Sequence, residues 1–250
     1  MARLIVTPLG CGGWISNPLL GPPSLLVDAN GLLLLIDAGE GVYSRLKRCG
    51  FSLRDINYIL ISHIHGDHLL GLPTLAVRAK MEKLKLSVLG PANLDLLKLF
   101  GAVGIPHYLE ALDVVKVEPA PNPTLIVEKA GVKVYATLAD HTVPSLAYKV
   151  EVNGSAVVFS GDTRPCASIV ELARGSKMLV HEVTGGLMSE DVVHEHGHST
   201  VADAVRIAEE AGVAYLMPFH FYENPLVLES TRVKIVLPTP CTPVDIFNLP

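Results

Sequence analysis

The chain has 250 residues, 49% of them hydrophobic, with a formal net charge of −5 and a mean hydropathy of +0.39. That suits one domain with a substantial core over residues 1–250, since no Ser/Gly-rich, charged or low-complexity linker divides it. The acidic balance excludes a surface built mainly for nucleic-acid backbone contacts, and every apolar run is well below the length that spans a bilayer.

The first segment, Met1 to Val6, leads directly into a strand rather than a signal peptide, so a soluble, cytoplasmic protein is expected, with no membrane partner. Strands are predicted at Leu4 to Thr7, Ser24 to Asp28 and Leu32 to Ile36, the last two joined by an Asn30-Gly31 hairpin signal. Gly41 to Cys49 reads as a helix stopped by Gly50, and Tyr58 to Ile61 as a buried strand. Helices are expected over Leu70 to Met81 and from Asp95 to Phe100. Arg78, Lys80, Lys83 and Lys85 form the one dense basic run, whose simplest reading is a solvated helix face.

The middle returns to strands at Val114 to Val117, Val132 to Thr137 and Leu146 to Glu151, then crosses an Asn153-Gly154 turn into Ala156 to Ser160. Helices at Ala167 to Arg174 and Thr200 to Ala211 alternate with strands at Met178 to His181 and Ala214 to Met217. Meanders followed by βα alternation predict an α/β fold of two mixed sheets packed face to face with helices outside. No internal repeat is visible in the side-chain pattern. The cysteines Cys11, Cys49, Cys166 and Cys241 form no C-x-x-C pair, so neither a disulfide framework nor a thiolate metal site is expected.

Chemistry concentrates in His63-Ile64-His65-Gly66-Asp67-His68. A lone histidine is usually a packing or surface residue, but that explanation does not cover four such residues on one short loop. In an extended segment, residues two apart point the same way, so His63 and His65 can grip one ion. Asp67 and His68 follow a glycine turn and aim elsewhere. His141, Asp162 and His220 lie at later strand ends, where layered α/β proteins place their chemistry. Seven candidate ligands are too many for one tetrahedral ion and suit two ions sharing a carboxylate. Imidazole and carboxylate donors without thiolates favour two Zn2+, with Mn2+ or Fe as alternatives.

These motifs carry a resemblance. Leu9-Gly10-Cys11-Gly12-Gly13, Asp37-Ala38-Gly39-Glu40-Gly41, Ser62 through Pro73, Gly161-Asp162-Thr163-Arg164-Pro165-Cys166, His181-Glu182-Val183-Thr184 and His198-Ser199-Thr200 follow in the order found in ribonuclease Z. The chain therefore resembles the metallo-β-lactamase superfamily and, within it, the tRNA 3′-processing endonucleases. The resemblance implies a four-layer αβ/βα sandwich and a di-zinc phosphodiesterase using a metal-bridging hydroxide. His63, His65 and His141 would hold one metal; Asp67, His68 and His220 would hold the other; Asp162 would bridge. Asp37 would support the histidine loop, Glu182 and His198 would supply a proton to the leaving group, and Asp67 would also contact the attacking water. A homodimer is implied as well.

His194 and His196 read as residues of a polar surface loop, His181 as packing at a strand end, Cys166 as a small buried residue, and His107 carries no assignment. One departure matters: only 21 positions separate His141 from Asp162, which leaves no room for the long arm with which the family grips tRNA. The expected substrate is thus a small or exposed phosphodiester or an RNA end. Authentic tRNA 3′ processing is the first alternative. Thioester, lactam or sulfate-ester hydrolysis, or iron-dependent oxidation, is the second. Around His220 the chain continues Phe221-Tyr222-Glu223-Asn224-Pro225, again unlike the family's usual segment.

Overall fold

The computed structural model describes residues 2–15, 18–118, 120–186, 188–222 and 232–250. Strands β1 (Leu4–Gly10), β2 (Ser24–Ala29) and β3 (Leu32–Ile36) form an antiparallel meander. Asn30 and Gly31 both take positive φ, 52° and 85°, as a tight two-residue hairpin requires. Pairing then becomes parallel through β4 (Ile56–Leu60), β5 (Leu86–Pro91) and β6 (Leu112–Val117). The helices α1 (Val42–Arg48), α2 (Gly66–Leu69), α3 (Leu72–Met81) and α4 (Leu96–Ala102) lie between these strands in sequence.

The second half repeats the plan. An antiparallel meander of β7 (Thr124–Lys129), β8 (Val132–Ala139), β9 (Ser145–Val152) and β10 (Ser155–Phe159) leads into parallel β11 (Met178–Glu182), β12 (Tyr215–Phe219) and β13 (Lys234–Ile235). The helices here are α5 (Ala167–Ala173), α6 (Glu190–Glu195) and α7 (Val201–Ala211). β14 (Val244–Asp245) returns to the edge of the first sheet beside β1. Among the described residues each sheet has seven strands, ordered β14-β1-β2-β3-β4-β5-β6 and β13-β12-β11-β10-β9-β8-β7. The repeat that the side-chain pattern hides is therefore one of topology.

Three packed clusters define four layers. Alternate residues of both sheets, such as Leu25, Val27, Leu34, Leu146, Tyr148 and Val150, meet between the sheets. The opposite faces carry Leu26 and Leu35 against α1 and α3, and Val158 and Leu179 against α5 and α7. Because both faces of these strands are buried, they read as continuous apolar runs rather than alternating ones. The predicted αβ/βα sandwich is the observed one. No helix of the described residues is long and apolar enough to cross a membrane.

Several expectations need correction. β5, β7, β13, β14, α2 and α6 lie outside the predicted elements; β7 is exposed at four of its six positions, which conceals its strand character. His194 belongs to α6 rather than a loop and pairs with the Asp203 carboxylate at 2.8 Å. Cys166 is half-buried, preceding α5. Cys49 and Cys241 form a disulfide, against the expectation of none. Their separation of 192 residues hides the contact, which exists because the proline-rich tail folds back onto the domain. There Cys241 N–H donates to the Pro8 carbonyl at 2.8 Å, β14 pairs with Ile5 and Val6, and Ile246 is buried. The basic run is a solvated surface, as its simplest reading has it, with Lys80, Lys83 and Lys85 exposed; Arg78 meets Glu82 and Lys80 meets Glu110.

Candidate metal centre

The cluster is assembled at one edge of both sheets. His63 and His65 follow β4, and α2 carries Asp67 and His68. His141 follows β8, Asp162 follows β10, and His220 follows β12 with a positive φ of 59°. A non-glycine residue in that region is uncommon and marks a backbone held by its surroundings. Here the hold is a close approach: a Cβ on Gly13 would lie 2.8 Å from the His220 ring. A second close approach seats the histidine loop, since a Cβ on Gly71 would fall 2.3 Å from the Gly39 carbonyl.

The seven predicted ligands come together. His63, His65, His141 and Asp162 form one group and Asp67, His68 and His220 a second, the donor atoms of each lying within 4.8 Å of one another. His65 Nδ1 stands 3.1 Å from His63 Nε2 and 3.2 Å from His141 Nε2. In the second group, Asp67 Oδ2 stands 3.0 Å from His220 Nε2 and 3.5 Å from His68 Nε2. Asp162 Oδ2 reaches both groups, at 3.4 Å from His68 Nε2, 3.4 Å from His220 Nε2 and 3.7 Å from His63 Nε2.

These spacings fit metal ions. Bonds of about 2.0–2.1 Å to a tetrahedral ion put ligand atoms roughly 3.3 Å apart. His68 Nε2, fully buried at the centre, has no hydrogen-bond partner, as a ligand atom would not. Four ligand histidines have their other ring nitrogen held. His63 Nδ1 meets Ser62 Oγ at 3.0 Å, His68 Nδ1 meets Asp37 Oδ2 at 2.7 Å, His141 Nδ1 meets the Gly197 carbonyl at 2.6 Å, and His220 Nδ1 meets Thr184 Oγ1 at 2.7 Å. Such outer contacts fix ring orientation and tautomer. Asp37 lies outside both groups and also accepts from Ser62 N–H and Oγ–H at 2.7 and 2.8 Å, so it supports the loop as expected.

The electrostatics show a site that attracts positive charge. Burial and the neighbouring imidazole of His68 drive His63 well below its usual range, leaving a free lone pair. Burial opposes ionisation of Asp162, but the His220, His68 and His63 rings outweigh it and hold the carboxyl well below the usual range. His68 and His220 go the other way; burial is outweighed by Asp162, and both rings are pulled up. A further trio, Glu190, His194 and Asp203, lies beside α6. Its Asp203 already accepts from Thr200 and pairs with Arg206 at 2.5 Å, as the cap of α7.

Glu182 and His198 stand against the cluster. Glu182 Oε1 accepts from His198 Nδ1 at 3.0 Å, Thr163 N–H at 3.0 Å and Ser199 N–H at 3.2 Å, while Oε2 accepts from Thr184 N–H at 3.0 Å. Burial would lower the His198 ring, but the Glu182 carboxylate prevails and raises it to about 9. His198 Nδ1 also lies 3.8 Å from Asp162 Oδ2. His181 packs at its strand end, fully buried, and its Nδ1 meets the Glu182 carbonyl.

Above the metal groups opens a cleft of about 330 Å³, lined by Asp67, Asp162, His198 and His220 and walled by Trp14 and Met188. The exposed His196 stands on its rim. Thr184, the Gly197 carbonyl and Trp14 escape sequence reasoning. Thr184 alone had a signal, its place in the His181-Glu182-Val183-Thr184 motif. The segment after His220 is described only through Tyr222; Glu223 to Pro225 lie outside the described residues.

Two mixed sheets, outer helices and this histidine–aspartate cluster at their shared edge define the class. Residues 33–221 match the family model described as a beta-lactamase superfamily domain, and the chain belongs to that superfamily. Within it the chain is a ribonuclease Z-like hydrolase. It is 30% identical to ribonuclease Z of Mycobacterium marinum over 86% of this chain and 85% of that protein. It is 28% identical to ribonuclease Z of Ignicoccus hospitalis, covering 88% of each. Its fold is similar to that of the human short-form tRNase Z, with a TM-score of 0.82 at 23% identity, covering 97% of this chain and 99% of that one.

Proposed function

We propose that the protein is a di-zinc phosphodiesterase of the ribonuclease Z type, acting on a small or exposed phosphodiester or an RNA end. The observation that carries this reading is the Glu182–His198 pair beside the metal groups. His63, His65 and His141 would hold one ion, Asp67, His68 and His220 the other, with Asp162 shared. Two bound divalent ions would make hydroxide available near neutral pH and neutralise charge gathering on the phosphate.

The chain's own residues supply the remainder. Cleavage of a P–O bond releases an alkoxide that needs a proton. With Nδ1 engaged by Glu182 at 3.0 Å, His198 has its other ring nitrogen available to the substrate in the cleft, and at neutral pH that nitrogen carries a proton to give. Asp67, on α2 within the second group, is positioned to orient the attacking water as well as to bind. Lactam or thioester hydrolysis has less need of a donor held this firmly in the protonated form, which favours phosphate esters.

His198→Ala is expected to slow hydrolysis of a diester with a poor leaving group by about 10²–10⁴-fold while metal content stays at two ions per chain. An unchanged rate would remove His198 from the reaction. Parallel assays on bis(p-nitrophenyl) phosphate and on precursor tRNA test the substrate class. Cleavage of the small diester alone supports the reading above.

Authentic tRNA 3′ processing is favoured by one observation, that the two relatives named above are ribonuclease Z proteins matched over most of their length. Against it, the segment between His141 and Asp162 is β9, a two-residue Asn153-Gly154 turn and β10, with no arm. Correct trimming of precursor tRNA would establish this second reading.

The reading extends to a cytoplasmic homodimer. Light scattering should then return twice the 26.8 kDa chain mass, and a monomeric mass would refute the dimer.

A further inference from the structure

Trp14 is the single tryptophan of the chain, and it stands 63% exposed at the mouth of the cleft. An open, rigid aromatic ring beside a reactive centre is an expensive use of surface unless something covers it. Backbone pairing fixes its place. Gly13 N–H donates to the Phe221 carbonyl at 2.8 Å, and Phe221 N–H donates to the Cys11 carbonyl at 3.0 Å. Trp14 and Tyr222 each follow one of these paired residues, so the ladder sets both rings on one rim, with Tyr222 41% exposed.

The indole is oriented as well as placed. Its centroid lies 6.3 Å from that of His65, tilted by 46°. Its six-membered ring lies close over Gly66, where an added Cβ would be 3.2 Å from Cζ2. Met188 and Val192, both half-exposed, continue the apolar wall of the same cleft. The described lining holds no lysine or arginine. Groups adjoining a reacting phosphate here would therefore be held by dispersion and stacking, not by ion pairs.

We propose that Trp14, with Tyr222 beside it, is a stacking platform for the nucleobase next to the scissile phosphate and so selects nucleotide diesters over alkyl diesters. This rests on the phosphodiesterase reading above. A base offers a planar π-face of the right size, and stacking on an aromatic side chain tolerates any base. A cleft of about 330 Å³ accommodates a nucleotide-sized group rather than a duplex.

The test compares two esters with one leaving group, thymidine 5′-(p-nitrophenyl phosphate) and methyl p-nitrophenyl phosphate, on the metal-loaded full-length protein. The ratio of their kcat/KM values should fall about 10-fold in Trp14→Leu, through KM of the nucleoside ester, and return in Trp14→Phe. An unchanged ratio would overturn the platform. Fluorescence gives an independent readout, since Trp14 is the sole indole. Uridine 5′-monophosphate should quench its emission while ribose 5-phosphate does not; no quenching by the nucleotide would also overturn the proposal. If the wild type hydrolysed neither ester, the phosphodiesterase reading would fail, and the titration would still decide whether bases stack there.

Discussion

Asp162→Asn is expected to empty both halves of the metal centre and to abolish hydrolysis, with metal content falling well below two ions per chain. The same carboxylate oxygen lies within 3.4 to 3.7 Å of His68, His220 and His63. An amide at that point removes the one negative charge common to both groups. It also takes from the fully buried His63 the carboxylate it faces, and from His68 one of the three around it. The loss should exceed the roughly 10–100-fold typical of an outer contact. Asp37→Asn supplies that comparison, because Asp37 holds His68 through Nδ1 but is itself a member of neither metal group. Metal analysis by mass spectrometry alongside hydrolysis rates separates the cases. A D162N protein that retained two ions, or lost only one with full activity, would rule out a shared carboxylate.

How far the centre is legible in the sequence depends on whether a side chain or the backbone makes the contact. His63 through His68 were legible because four ligand types crowd one loop. Asp162 and the distant His141 and His220 were legible only as strand-end residues placed in order by the family motifs. Contacts made by backbone were not. The Gly197 carbonyl that holds His141, 56 positions away, leaves no trace in residue type, because every residue has a carbonyl. Trp14 was silent for another reason: its role depends on a pairing between Cys11–Gly13 and Phe221 that joins the two ends of the domain.

In the fold, strands buried on both faces, such as β2, β3 and β10, announced themselves by apolar runs. β7 did not, since only Val127 of its six residues is buried. The short α6 was obscured by a run of His, Glu and Asp that reads as loop. The topological repeat was invisible because equivalent strands share pairing direction and not side chains.

Breaking the Cys49–Cys241 link is expected to cost more stability than any single surface change. The bridge closes a loop spanning 192 positions, nearly the whole chain. In the chain-entropy account a loop of this size contributes about 5 kcal/mol by restricting the unfolded ensemble, the upper end of the roughly 2–5 kcal/mol that removal of a native disulfide costs. For a domain of this length that corresponds to a fall in Tm on the order of 10 °C. The bridge also holds the tail where β14 extends the first sheet and Ile246 fills the inter-sheet core. Its loss should therefore expose that edge before the metal centre is disturbed. Thiol titration in denaturant should find two free groups, Cys11 and Cys166, before reduction and four after it. Thermal melts of the oxidised protein, the reduced protein and a Cys49→Ala/Cys241→Ala variant then measure the effect. The last two should melt together, well below the first, with hydrolysis at low temperature retained. Equal melting temperatures in all three would mean that the tail is held by its strand pairing and apolar contacts alone.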